Sequence, residues 1–252
     1  MTSASKRPTI LVTRPEPGAT KTADALSAMG FEPLVLPFTE LHARPISADA
    51  MGRVQSAKFV VVTSANAVRF APKTILSDVG DLPVFAVGNA TAEAARLAGF
   101  DLVESVEGDA DTLISRIAER RRRGESALYL CGRVRKAAVE TGLAKAGIEI
   151  IVAETYETQK VSQLTDKFVS LIARHAPDAI LVFSAFSGRI LTELLDATRS
   201  SHIPENTTLF AISEQVENSM RTTWRGPLIV AKRMDADAMH NAVREHFFSP
   251  DA

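Results

Sequence analysis

The chain has 252 residues, of which 46% are hydrophobic and 23% are charged, and its formal net charge is −1. Such values are typical of a globular protein with one large domain or two small ones. The balanced charge gives no basic field for nucleic acid, and no apolar run approaches the roughly 20 residues of a membrane span. The polar start, residues 1–8, predicts no secretory signal. The single cysteine, Cys131, excludes an internal disulfide, and we therefore expect a cytoplasmic protein.

The first part of the chain predicts a strand, a helix and a second strand. A short apolar strand is expected over Thr9–Thr13, followed by a turn at Arg14–Gly18, where two prolines and a glycine interrupt it. The helix over Thr20–Met29 ends before Gly30, a residue suited to the position just past a helix end. The strand Glu32–Leu36 completes a β-α-β unit.

The unbroken apolar run Phe59–Val62 predicts a strand buried on both faces, as in a parallel sheet covered by helices. Open α/β sheets bind ligands at the carboxyl ends of their strands, where backbone N–H groups favour an anion. Small polar residues stand at four such ends. They are Thr63 and Ser64; Gly88, Asn89, Ala90 and Thr91; Ser184 with Ser187 and Gly188; and Ser213. Helix capping explains them equally well and is compatible with ligand binding.

The remaining elements continue the alternation of strands and helices. Strands are expected at Pro83–Val87, Leu102–Ser105, Leu209–Ser213 and Leu228–Ala231, and helices at Ala92–Leu97, from Thr112, before Trp224 and after Asp237. This order predicts parallel sheets with helices on both faces.

The chain contains an internal duplication. Val62, Ser64, Ala65 and Arg69 match Val182, Ser184, Ala185 and Arg189, each 120 residues later. The match extends to both sides, with offsets of 117 for Leu11 and Leu128 and of 125 for Phe85 and Phe210. Two copies of one α/β unit, each of about 125 residues, explain this repeat.

Several residues could serve a reaction or a ligand. Arg14, Arg133 and Arg135 follow strand ends, and each could pair with a ligand carboxylate or lie at the surface. Tyr156 could be a half-buried linker residue or a phenol that donates a hydrogen bond to a leaving hydroxyl. Cys131 ends a strand, and we expect a buried thiol.

No motif indicates a cofactor. The chain contains neither the dinucleotide-binding glycine pattern nor a P-loop. The histidines are scattered without metal spacing; they are His42, His175, His202, His240 and His246. We therefore expect no cofactor and no metal.

Six short motifs together resemble the uroporphyrinogen-III synthase family, the HemD-type tetrapyrrole cyclases. They are Val12–Pro15, Val62–Val68, Ala86–Ala92, Cys131–Gly132, Tyr156–Thr158 and Phe183–Gly188. The resemblance covers nearly the whole chain. One departure lies in the second copy, where the family usually has Ile-Gly-Pro-x-Thr-Ala and this chain has Ile212–Glu217. Glu214 and Glu217 would repel an anionic substrate if they faced it.

The resemblance implies two similar, flavodoxin-like α/β domains joined by a two-stranded ladder. Domain 1 would comprise residues 1–37 and 159–252, because the first β-α segment would pack with the second copy. Domain 2 would comprise residues 41–154, and the linkers would be Leu36–Leu41 and Ala153–Thr158.

The resemblance also implies a hydro-lyase that acts on hydroxymethylbilane, a linear tetrapyrrole with eight carboxylates. Water leaves ring A, ring D attacks through its substituted α-carbon, and a spiro intermediate fragments and recloses with ring D inverted. Tyr156 would assist the loss of the hydroxyl. The implied substrate-binding residues are Arg14, Thr63, Ser64, Asn66, Gly88, Asn89, Ala90, Thr91, Cys131, Gly132, Ser184, Ser187, Gly188 and Ser213.

Two other interpretations remain open from the sequence. A two-lobed α/β protein could bind a small anion reversibly without turnover, and the departure at Ile212–Glu217 favours this alternative. A flavodoxin-like electron carrier is the third interpretation, and it would hold a flavin. For the cyclase we expect a monomer whose partner is its small-molecule substrate, with no nucleic acid and no membrane involved.

Overall fold

The structure is a computed structural model that describes residues 7–198 and 203–248. The chain divides into two compact units. Unit 1 comprises the described parts of Met1–Glu40 and Gln159–Ala252, and unit 2 comprises Leu41–Thr158. His202 and the first six residues of the predicted polar start lie outside the described ranges.

Strands and helices alternate along most of the described chain. In chain order they are β1 Thr9–Val12, α1 Gly18–Ala28, β2 Glu32–Val35, β3 Thr39–Ala43, α2 Ala48–Arg53, β4 Phe59–Val62, α3 Ala65–Arg69, α4 Lys73–Asp78, β5 Val84–Val87, α5 Asn89–Leu97, β6 Val103–Val106, α6 Ala110–Arg120, β7 Ser126–Gly132, α7 Ala138–Lys145, β8 Glu149–Lys160, α8 Leu164–Arg174, β9 Ala179–Val182, α9 Ala185–Ala197, β10 Thr208–Ala211, α10 Glu214–Met220, β11 Leu228–Val230 and α11 Ala236–Phe248. A 3-10 turn follows α2.

The strands form two sheets, and the predicted α/β class with mostly parallel sheets is confirmed. One sheet has the order β11-β10-β9-β1-β2, with parallel neighbours throughout. The first described strand thus pairs with a distant one, with Ile10 opposite Ala179 of β9. The second sheet has the order β3-β8-β7-β4-β5-β6, and its neighbours from β8 to β6 are parallel.

The pair β3–β8 is the exception to the parallel arrangement. The N–H of Arg44 donates to the carbonyl of Thr155 at 2.9 Å, and the N–H of Val161 donates to the carbonyl of Phe38 at 3.1 Å. The partner numbers run in opposite directions, as in an antiparallel ladder. The unit boundaries, after Glu40 and after Thr158, fall within these two strands.

The apolar run of β4 shows why the sheet is covered on both faces. Val60 and Val62 pack into the hydrophobic cluster on one face, while Phe59 and Val61 pack into the cluster on the other. All four side chains are fully buried. Successive side chains of a strand point to opposite faces, so an unbroken apolar run requires a nonpolar layer on each side. None of the helices in the described ranges has the length and apolar character needed to cross a bilayer.

Candidate functional site

The carboxyl end of β4 carries a serine that both caps a helix and meets a tyrosine. Ser64 Oγ accepts a hydrogen bond from the N–H of Asn66 at 3.3 Å, which caps α3. The same oxygen accepts a hydrogen bond from the hydroxyl of Tyr156 at 3.3 Å. Since Ser64 accepts both bonds, its own O–H is available to donate to a ligand. Capping α3 therefore leaves Ser64 with a free donor at the strand end.

Tyr156 is fixed over the strand end by its neighbours. Its ring stacks on Phe70, with centroids 5.9 Å apart and an interplanar angle of 29°. On β7 the residue paired with Tyr156 is Gly132, and a Cβ atom there would lie 2.8 Å from the Cζ atom of Tyr156. The missing side chain at Gly132 thus makes room for the phenol.

The other tyrosine of the chain, Tyr129, contacts the residue that precedes Ser64. The hydroxyl of Tyr129 is 3.1 Å from Thr63 Oγ1. Tyr129 is only 1% exposed, and burial raises the pKa of its phenol. We therefore expect a neutral Tyr129. Tyr129 was not predicted as a site residue. Its one signal in the sequence is its position two residues before Cys131, on the same strand face.

A pocket of about 290 Å³ opens at this strand end. Four residues of the predicted catalytic and substrate-binding set line it: Thr63, Ser64, Gly132 and Tyr156. The other lining residues are Val87, Ala110, Tyr129, Val134, Arg135, Lys136, Ala138 and Val139. The pocket therefore combines several hydroxyl groups with an apolar wall and two basic side chains.

The two predicted arginines near this pocket are engaged in ion pairs. Arg135 contacts Glu140 at 2.5 Å and Glu154 at 2.8 Å, and Arg133 contacts Glu157 at 2.9 Å. Burial lowers the pKa of Arg135, but the bonds to Glu154 and Glu140 outweigh it and raise the pKa overall. The structure thus gives both arginines carboxylate partners within the protein.

Cys131 is buried as the sequence predicted. Its side chain is 1% exposed, and Sγ lies 3.8 Å from the carbonyl oxygen of Ala153. Burial raises the pKa of the thiol to about 12, so it stays protonated near neutral pH. Any contact of Cys131 with a ligand would have to use its backbone, and its role in substrate binding stays a prediction.

The predicted site residues that follow β5, residues 88–91, do not line this pocket. Helix α5 begins at Asn89 rather than at the predicted Ala92, because Gly88, with φ of 75°, turns the chain directly into the helix. Ala90 and Thr91 therefore belong to its first turn. Asn89 Oδ1 accepts a hydrogen bond from Ser105 at 3.0 Å. On α3, Asn66 Oδ1 accepts one from Arg69 at 3.0 Å.

In unit 1, Arg14 follows β1 and lies over an aromatic ring. Its guanidinium carbon is 4.3 Å from the ring centroid of Phe183, and Nη1 donates to Thr22 at 3.3 Å. Burial lowers the pKa of Arg14. Within the described ranges no carboxylate forms an ion pair with Arg14, in contrast to Arg133 and Arg135.

The serines after β9 bond to each other. Ser184 Oγ caps α9 by accepting from the N–H of Ser187 at 3.1 Å, and the two hydroxyl oxygens are 3.0 Å apart. Gly188 packs against α10, since a Cβ atom there would lie 2.6 Å from Ser219 Oγ. Gly188 is thus a packing position in this unit.

The departure from the family pattern places acids at the start of α10. Ser213 precedes this helix without a side-chain capping bond, and Glu214 and Glu217 occupy its first turn. Glu217 pairs with Arg221 at 2.9 Å. Acids suit the positive end of a helix, and they oppose a bound anion there.

One buried histidine was not selected from the sequence. His240 on α11 is 8% exposed, and its Nε2 atom has no hydrogen-bond partner among the described residues. Burial lowers the pKa of His240, the charge of Asp237 opposes this effect, and the charge of Arg14 adds to it. In the described part of the chain, no group of three or more potential ligands could hold a metal ion.

A family model provides the identification. The model for uroporphyrinogen-III synthase HemD matches residues 20–241, which is most of the chain. The chain belongs to the uroporphyrinogen-III synthase family. It is therefore an enzyme of tetrapyrrole biosynthesis, as predicted, and it acts on a small-molecule substrate. The alternative of an anion-binding protein without turnover is not favoured.

Solved structures share the fold of this uroporphyrinogen-III synthase family member. The uroporphyrinogen-III synthetase of Helicobacter pylori is 16% identical, with a TM-score of 0.64 over 96% of this chain and 100% of that one. A mutant uroporphyrinogen III synthase of Thermus thermophilus is 15% identical, with a TM-score of 0.55 over 94% of this chain and 97% of that one. No curated protein sequence matches the chain.

Proposed function

We propose that this family member is a hydro-lyase that cyclises hydroxymethylbilane to uroporphyrinogen III, with loss of water and inversion of ring D through a spiro intermediate. The match to the family model over residues 20–241 carries the proposal. The pocket at the end of β4 supports it, because its hydroxyl groups and basic side chains suit a carboxylate-bearing ligand.

Tyr156 is the proposed catalytic residue. Its phenol lines the pocket and is held by Ser64, Phe70 and Gly132. To assist the reaction, the O–H of Tyr156 would turn from Ser64 Oγ and donate a hydrogen bond to the departing hydroxyl of ring A, which leaves as water. The electrophile that remains is then attacked by ring D. Because a flexible chain must fold until its ends meet, we expect positioning to contribute much of the rate.

The proposed substrate contacts use hydroxyl groups, backbone N–H groups and one arginine. In unit 2 they are Thr63, Ser64, Asn66, Gly88, Asn89, Ala90, Thr91, Cys131 and Gly132, and in unit 1 they are Arg14, Ser184, Ser187, Gly188 and Ser213. The net charge of −1 leaves the carboxylates to be held by such local groups. We further propose family domains at residues 1–37 with 159–252 and at 41–154, with linkers near 36–41 and 153–158. We also propose that the protein acts as a cytoplasmic monomer.

The decisive test is the isomer of the product. Purified protein is mixed with fresh hydroxymethylbilane, the products are oxidised, and the type I and type III isomers are separated. Spontaneous closure without ring inversion gives the type I isomer and serves as the blank. We expect type III in excess over the blank, and type I alone at high protein concentration would refute the proposed function.

A further inference from the structure

We propose that Lys136 pairs with one carboxylate arm of the substrate in the unit 2 pocket, while the neighbouring Arg135 is a framework residue. This inference rests on the proposed function, since it names a binding residue for that substrate. Both residues lie in the connection between β7 and α7, and both line the pocket. Lys136 belongs to none of the six motifs that resemble the family.

The ion pairs separate the two basic residues. Arg135 is held by Glu140 and Glu154, and its Nη1 also donates to the carbonyls of Gly132 and Arg133. Its charge is compensated within the protein, and moving it would break several charge-assisted bonds. Lys136 is exposed and forms no ion pair with any described residue. It is therefore the uncompensated cation among the lining side chains.

The start of α7 adds to the attraction for an anion, because Glu140, the acid of its first turn, is paired with Arg135. Ala137 precedes this helix and supplies no side-chain capping bond, in contrast to Ser64 at α3 and Asp109 at α6. Ala138 and Val139, the first two residues of α7, line the pocket. Free N–H groups and the positive end of the helix dipole thus lie next to Lys136.

The size of the pocket determines how much of the substrate it takes. A volume of about 290 Å³ lies at the lower end of the range for small-ligand sites and is too small for a whole linear tetrapyrrole. It suits one pyrrole with its acidic arm. The apolar wall of Val87, Val134 and Val139 would contact the ring, while Lys136 and Ser64 would bind the carboxylate.

The test compares substitutions at both ends of α7. Lys136→Ala removes the proposed contact, Lys136→Arg restores a cation, and Lys145→Ala removes an exposed lysine from the far end of the same helix. We expect Lys136→Ala to raise KM about five- to tenfold with kcat within about twofold, as for the loss of one charge-assisted contact. Lys136→Arg and Lys145→Ala should keep KM near that of the unsubstituted protein.

A binding measurement separates this inference from the proposed function. Uroporphyrin III, the oxidised product, is titrated into each variant at low and at moderate salt, and its fluorescence gives Kd without turnover. Weaker binding by Lys136→Ala alone, with a reduced salt dependence, supports the carboxylate contact. Equal KM and Kd for Lys136→Ala and the unsubstituted protein overturn it, even when type III product forms. Where no type III product forms, the titration alone decides the inference.

Discussion

The repeat in the sequence matches the carboxyl edge of one sheet to that of the other, and the two edges differ in chemistry. In unit 2, Ser64 accepts a bond from Tyr156 across the sheet edge and faces a pocket. In unit 1 the matching Ser184 bonds to Ser187 of its own helix. A capping serine is common to both copies, but only Ser64 also contacts a phenol.

The next strand of each sheet shows the same divergence. After β5, Gly88 leads into α5, whose first turn carries no acid. After β10, Ser213 leads into α10, whose first turn carries Glu214 and Glu217. A helix start without acids favours an anion, and one with two acids disfavours it. The two copies thus share a serine cap after β4 and β9, whereas the charges at the next helix start differ.

The largest expected effect is that of Tyr156→Phe. This change removes the phenol hydroxyl and keeps the ring on Phe70 and Gly132. We expect the rate of type III formation to fall by up to about 10²–10⁴-fold, the usual contribution of one general acid. Tyr129→Phe, which loses only the bond to Thr63, should cause a smaller loss. Full turnover of Tyr156→Phe would remove the functional difference between the two edges.

A pair of glycine substitutions tests which edge is catalytic. A Cβ atom added at Gly132 would lie 2.8 Å from Tyr156 Cζ. One added at Gly188 would lie 2.6 Å from Ser219 Oγ. Gly132→Ala should displace the phenol and lower kcat about 10- to 100-fold. Gly188→Ala should stay near normal in kcat, because a backbone contact to substrate would survive the added methyl group.

The free energy of unfolding of Gly188→Ala separates an effect on catalysis from an effect on packing. In Gly188→Ala, the helix gains about 1 kcal/mol from alanine and loses a similar amount if Ser219 gives up its bond to Val216. We therefore expect little change in the free energy of unfolding, measured by urea denaturation. A large loss of kcat in Gly188→Ala, with normal stability, would show that unit 1 also contributes a close approach to the substrate.

Exchanging the charges at the starts of α5 and α10 tests whether an acid at a helix start weakens substrate binding. Asn89→Glu gives α5 the acid found at α10, and Glu214→Asn removes that acid from α10. We expect Asn89→Glu to raise KM about two- to fivefold at low salt, because the helix end then repels a carboxylate. Glu214→Asn should leave KM unchanged or lower it. The reverse pattern would place anion binding at α10, and a difference that persists in high salt would argue against an electrostatic cause.

The smallest expected effect concerns the buried histidine of unit 1. The lowered pKa of His240 means that the unfolded chain binds its proton more readily than the folded protein does. Stability should therefore fall as the pH drops below about 6.5, the ordinary value. We expect His240→Gln to flatten this dependence between about pH 7 and pH 5 in urea denaturation, above the range in which ordinary carboxylates titrate. His175→Gln, at an exposed position, should retain it.

Local patterns in the sequence determined the fold class and the strand ends. The run Phe59–Val62 required cover on both faces, and Ser64 and Ser184 stood where a helix needs a cap. Burial of Cys131 also followed from its place at the end of a strand. These features depend on neighbouring residues and on strand periodicity, which a single sequence displays directly.

Only the tertiary structure decided which of the polar residues meet. The Tyr156–Ser64 bond joins residues 92 positions apart, and the Thr63–Tyr129 contact joins residues 66 apart. Arg135 and Lys136 are adjacent basic residues that the sequence does not distinguish. In the structure, Glu154 of β8 forms an ion pair with Arg135 and not with Lys136. Such contacts arise from strand pairing between distant segments, so no local pattern specifies them. The chemistry of the site is therefore decided by the register of β7, β8 and β4.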